Sequence, residues 1–181
     1  MSTNGSEREM LSWQFDLVWR LAGYHLPLLT DEECLWEPAP GSWSVRQRTD
    51  GSWHADWAEP VPDRAPPTTI GWLTWHILWW WGSASSALRN ENIAEREAVR
   101  WPGNAAATID ALNALSTQWA DVLSRATDLE RPVAYPWSEP RPLRLLLAWA
   151  NCELMKNVAE IGMLRHLFAA SHRSPHKSYM G

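Results

Sequence analysis

The sequence predicts an all-α protein, a four-helix bundle, on three observations. Apolar residues recur at helical spacing along four long stretches of the chain. No two segments show the strict alternation of a convincing strand pair. Between the helical stretches lie capping residues and prolines that start and stop helices rather than pair strands. With 181 residues the chain can bury one sizeable core. Residues 1–170 are therefore read as one domain, and 171–181, polar and weakly basic, as a mobile tail.

The first helix is expected to start at Ser6, with Glu9 completing a capping box, after a frayed Met1 to Gly5. Leu11, Phe15, Val18, Ala22 and His25 carry its stripe, and Pro27 predicts a stop near His25 or Leu26. A histidine in that last turn complements the helix dipole or packs more often than it binds metal. Thr30-Asp31-Glu32-Glu33 reads as a second capped start, one or two turns long.

A proline-rich crossover follows to Pro67, too long for an antiparallel helix turn and too broken for a regular element. Loops of this length are often functional. Trp36, Trp43, Trp53 and Trp57 are expected to pin it to the body, with Trp43 to Arg46 as a short extended piece. Thr68 or Thr69 caps the second long helix, Ile70 to about Arg89, whose stripe is Ile70, Leu73, Ile77, Trp80, Ala84 and Leu88. His76 sits on the shoulder of that stripe. Asn104 caps the third helix, whose predicted inner face is Ile109, Leu112, Leu115, Trp119, Val122 and Ala126. After a second proline-rich loop, the fourth helix runs from Leu143 to about Phe168. Its stripe carries Leu143, Leu147, Ala150, Leu154, Ile161, Leu164 and Phe168, with Glu153, Asn157 and Glu160 on the shoulder and Asn157 well inside the apolar sector. Polar groups on a buried helix face need partners, since burying one unpaired costs a few kcal/mol.

A formal charge of -5 argues against a nucleic-acid binder, because phosphate affinity needs clustered cations. No uncharged apolar run reaches membrane-spanning length: the longest, Ile70 to Leu88, carries His76 and four Ser or Thr. Cys34 and Cys152, with no secretory signal before the first helix, are expected to be free thiols in a reducing cytoplasm. The 15 tryptophans, against two Phe and three Tyr, are read as filling the large core positions, with an aromatic-lined pocket or an interface as the alternative. Consecutive Trp79, Trp80 and Trp81 point three ways, so one ring is expected to face something other than the chain's own core.

Bundles build metal and ligand sites from side chains on facing helices. Here the pieces are His76 and, one turn apart, Glu153 and Asn157. By themselves they are a weak signal: a lone histidine beside a core stripe is usually a hydrogen-bonded core residue.

The segments LTDEECLWEPAPGSWSVR, TTIGWLTWHI and NCELMKNVAEIGMLRHL, in this order and spacing, resemble the DinB-like superfamily, and in particular its actinobacterial branch with an E-L-x-x-H-x-A-E-I-x-x-L-R last helix. The resemblance spans roughly Leu11 to Phe168. It implies an up-down-down-up bundle, a homodimer, and a divalent nickel or zinc site made by one histidine of the second helix and a pair four residues apart on the fourth. Relatives with assigned activities include thiol-dependent transferases and a mycothiol-dependent maleylpyruvate isomerase. Carried over by position, the metal residues are His76, Glu153 and Asn157. The family has histidine where this chain has Asn157, and often again where it has Lys156. An amide oxygen is a poor ligand for nickel or zinc beside imidazole, and catalytic zinc takes three protein ligands.

The site therefore reads as degenerate, with His76, Glu153 and Asn157 expected to hydrogen-bond among themselves and Lys156 to neutralise Glu153. Glu160 is expected to pair with an arginine or cap a backbone, Arg165 to be scaffold, and Cys152 to point away. Three functions follow: a small-molecule-binding bundle without the usual metal catalysis, a metal- and thiol-cofactor-dependent transferase or isomerase, or, as the weakest, a purely structural dimer. The first is favoured because of Asn157.

Overall fold

The structure, a computed structural model, describes residues 3–172. Its chain order is α1 (Thr3–His25), α2 (Asp31–Leu35), β1 (Val45–Gln47), β2 (Trp53–Ala55), α3 (Ile70–Leu88), α4 (Ala105–Arg125), β3 (Pro132–Val133), β4 (Arg141–Pro142) and α5 (Leu143–Ser171). The fold is all-α, with two small antiparallel strand pairs, β1 with β2 and β3 with β4. Strands of two or three residues are too short to show alternation, and so the sequence shows no strand pair at either place. Among the described residues, no helix is long and apolar enough to cross a membrane. α5 reaches Ser171, and of the tail expected at 171–181, residues 173–181 lie outside the described residues.

Local signals set most helix starts. Thr30 and Glu33 form a reciprocal capping box at α2. The Thr69 hydroxyl accepts from the backbone N–H of Trp72 at α3, and the Asn104 side chain accepts from that of Ala107 at α4. At α1 the expectation fails. The helix starts at Thr3, so Ser6 and Glu9 lie within it and do not cap it. A Ser-x-x-Glu pair is also compatible with a helix interior, and the residues before Ser6 continue the helix.

α1 packs on α5 and α4, and α3 packs on the same two helices. Between α1 and α5, the Asn151 amide donates to the Leu11 carbonyl at 2.9 Å, and the His25 ring lies over Gly162. Between α3 and α5, His76 meets Glu153 and Trp80 meets Trp149. Between α3 and the α4 side, Thr74 meets Trp101 and Trp81 meets Trp119.

On α3 the burial extends far beyond one stripe. Trp72, Trp75 and Trp81 are buried along with Ile70, Leu73, Ile77, Trp80 and Ala84. A helix apolar nearly all round must be covered on every side, and the crossover loop and Trp101 supply the extra cover. Buried indole N–H groups find acceptors: Trp72 donates to the Asp56 carbonyl (2.8 Å), Trp75 to the Val99 carbonyl (3.1 Å) and Trp101 to Thr74 Oγ1 (3.0 Å). Trp79, the half-buried member of the triplet, leans on Trp75 and on Trp57 of the crossover. All three rings of the triplet thus pack against the chain's own residues.

On α4 the inner face is rotated from the predicted one. It centres on Ala105, Thr108, Leu112, Ser116, Trp119 and Leu123. Apolar counting misses Thr108 and Ser116, whose hydroxyls donate back to the helix's own carbonyls at Asn104 and Asn113 and can therefore be buried. The last turns of α5 depart similarly, with Leu164 and Phe168 half-buried at the bundle's end.

Gly71 fixes where the crossover lands. A Cβ there would come within 2.7 Å of Val45 Cγ2 and 2.9 Å of the Cys34 carbonyl oxygen, so only glycine lets α2 and β1 seat on the first turn of α3. Cys34 and Cys152 are both free. Burial pushes the Cys34 thiol up to about 12, so it stays protonated near neutrality, whereas Cys152 is exposed.

Candidate functional site

The site lies where α3 passes α5 beneath the crossover. The crossover is tied down at both ends. Trp43 N–H donates to the Pro67 carbonyl at 2.8 Å, and Thr69 N–H donates to the Trp43 carbonyl at 2.9 Å. Asp56 accepts from Ser44 N–H (2.9 Å) and Arg46 Nε (3.0 Å), while its carbonyl takes the Trp72 indole. Arg46 also reaches Glu37 at 2.8 Å. These contacts set Trp43 and Trp57 against α3, with Trp43 5.6 Å from both Trp57 and Trp72 and Trp57 nearly parallel to Trp72. The resulting cleft measures about 310 Å³ and is lined by Trp43, Trp57, Trp72, His76, Asn157 and Glu160, among others.

His76 and Glu153 come together, Nε2 and Oε1 lying 3.4 Å apart. The His76 ring lies parallel to Trp72 with centroids 5.1 Å apart, and its Nδ1 is buried with no partner among the described residues. Lys156 donates to the same Glu153 oxygen, the neutralising role expected of it. The imidazole hydrogen bond holds the Glu153 carboxyl below the usual carboxylate range, burial opposes this, and Lys156 adds to it.

A carboxylate with a depressed pKa stabilises the fold above its unfolded value, about 4.3. That contribution is lost as pH falls through the lower folded value. Glu153→Gln should therefore unfold more easily than wild type at pH 7, with a smaller gap at pH 3. Urea unfolding at the two pH values checks this, and a gap of unchanged size would contradict it.

Asn157 sits at the same place but bonds elsewhere. It is 1% exposed. Its Oδ1 accepts from the Trp80 indole N–H at 3.1 Å, and its Nδ2 donates to Glu160 Oε2 at 3.3 Å. The expected mutual network thus divides in two, His76 with Glu153 and Lys156, and Asn157 with Trp80 and Glu160. Glu160 correspondingly takes the Asn157 amide rather than an arginine or a backbone cap. Among the described residues, no group of three or more His, Cys, Asp and Glu is placed to hold a metal ion.

Arg165 is scaffold, donating to Glu33 Oε1 at 3.0 Å and to the Leu28 carbonyl at 3.4 Å. Cys152 lines a different groove, between α1 and α5, with Trp13, Leu17 and Met155. Sequence reasoning misses Trp80 as the partner of Asn157. Its position on the α3 stripe is readable, but nothing local in the sequence says where an indole N–H 77 positions away will point.

No curated protein matches the chain. A family model described as the DinB superfamily matches residues 52–161, from the start of β2 through α3 and α4 into α5, and this span includes His76, Glu153 and Asn157. That match covers more than half of the sequence, and the chain belongs to the DinB superfamily.

Proposed function

We propose that this DinB-superfamily bundle binds a small molecule in the α3–α5 cleft, at a degenerate metal site that does not carry metal catalysis. The observation that carries the reading is the Trp80 indole on Asn157 Oδ1. That oxygen is the amide's only donor atom for a cation, and one of its two lone pairs is already taken by the indole. The positions that would hold nickel or zinc then offer one imidazole and one carboxylate, and the carboxylate is shared with Lys156. Two good donors do not fit a metal that needs three protein ligands in catalytic sites.

The cleft has the size and character of a ligand site, with aromatic walls and a few convergent polar groups. His76 is among its lining residues, and its Nδ1 is buried and unpartnered among the described residues. An up-down-down-up course of the long helices belongs to the same reading. It is supported by the contacts of Leu11 with Asn151 and His25 with Gly162, which make α1 and α5 run the same way. His76 with Glu153 and Trp80 with Trp149 set α3 against α5, and Thr74 with Trp101 and Trp81 with Trp119 align α3 with α4.

The test is an NMR titration of the indole N–H signals with a panel of neutral aromatic molecules. Shifts concentrated on Trp43, Trp57 and Trp72 are expected. Shifts confined to Trp13, or none from any member of the panel, would contradict the reading.

A further inference from the structure

Resting on that reading of the cleft, we infer that its occupant is an organic cation: a primary or methylated ammonium group on a compact apolar body. Glu160 is exposed and lines the cleft, as Lys156 does, and its carboxylate has no Lys, Arg or His within ion-pair distance among the described residues. Its one hydrogen-bond partner is the neutral Asn157 amide at 3.3 Å.

The cations nearest to it along α5 are committed elsewhere. Lys156, at i−4 on the same face, would ordinarily pair with it, but its ammonium is bound to Glu153. Arg165 is bound to Glu33. The His76–Glu153–Lys156 cluster contains its own counter-charges, which leaves the Glu160 charge uncompensated at the cleft.

The same cleft is lined by Trp43, Trp57 and Trp72. The faces of indoles attract cations, and more strongly where water is excluded. This cluster already accepts one cation, the Arg96 guanidinium 4.4 Å from the Trp57 ring centroid. An anion would meet an unpaired carboxylate, and a neutral ligand would leave that carboxylate as it is. Only a cation gains from both the aromatic wall and Glu160.

Three probes of nearly equal shape decide it: choline, 3,3-dimethylbutan-1-ol and 3,3-dimethylbutanoate. Each is titrated into the full chain while the indole N–H signals are followed. Choline is expected to bind about ten-fold more tightly than the alcohol, the scale of one cation–π contact partly shielded from water, and the butanoate most weakly. Glu160→Gln keeps an oxygen for the Asn157 amide. It should reduce choline toward the affinity of the alcohol, leaving only the share that comes from the indole wall, and leave the alcohol unchanged.

If the alcohol matches choline, or if Glu160→Gln leaves choline binding intact, the cation assignment is overturned while the cleft still binds. If none of the three probes binds, the assignment is overturned as well. The neutral aromatic panel then shows whether the cleft reading falls with it.

Discussion

Trp81→Ala should destabilise the protein by about 3–5 kcal/mol, the range for truncating a large buried aromatic. Trp81 is 1% exposed and joins three helices in the core. Its ring lies 6.0 Å from Phe15 and 5.8 Å from Trp19 on α1, and 6.1 Å from Trp119 on α4. No neighbouring helix can close on the vacated volume without leaving its contacts with the other two. With a urea slope of about 2 kcal/mol per molar, the midpoint should fall by about 2 M, with the slope unchanged. Trp81→Phe, which retains most of the volume, should lose less than half as much. A loss below about 1 kcal/mol for the alanine variant would mean that the core is not organised around this ring.

The second large effect is expected at Glu33. Its two carboxylate oxygens serve different elements: Oε2 accepts from Thr30 N–H at 3.0 Å, closing the α2 capping box, and Oε1 accepts from Arg165 Nε at 3.0 Å. The pair is well buried, with the Arg165 side chain 18% and the Glu33 side chain 9% exposed. Removing one partner of such a pair strands the other charge. Glu33→Ala should therefore cost about 3 kcal/mol, including about 1 from the lost cap. The sign of the coupling separates charge from packing. Adding Arg165→Met to Glu33→Ala should recover part of the loss in a urea-unfolding double-mutant cycle. Strictly additive losses would contradict the ion-pair account.

The two sites differ in how readable they are from sequence. The Thr30–Glu33 box is local, three residues apart, and the sequence reads it correctly. Its long-range half, the bond to Arg165, depends on how α2 meets α5, and no spacing in the sequence carries that. The same division runs through the whole molecule. The α3 and α5 stripes follow from periodicity, and Asn157 is buried as its place on the wheel requires. The α4 face comes out rotated because Thr108 and Ser116 look polar in a sequence but satisfy themselves on their own helix. The start of α1 is missed because Ser6 and Glu9 have the pattern of a cap within a longer helix.

At the cleft, the residues brought together are the ones the resemblance points to, yet their bonding differs. His76 takes Glu153, while Asn157 takes Trp80. Partner choice among several groups at one crossing depends on side-chain rotation and on the crossover loop, which positions Trp43 and Trp57. Both are settled by tertiary packing rather than by any local run of residues.

The central claim is that the α3–α5 crossing lacks the donors for a catalytic metal and works as a metal-free ligand cleft. Calorimetric titration of nickel and of zinc into tag-free protein, wild type beside Asn157→His, tests it most directly. The account predicts no stoichiometric site in the wild type and a clear gain of affinity in Asn157→His, where imidazole replaces the occupied amide. Stoichiometric binding by the wild type, abolished by His76→Ala, would contradict it.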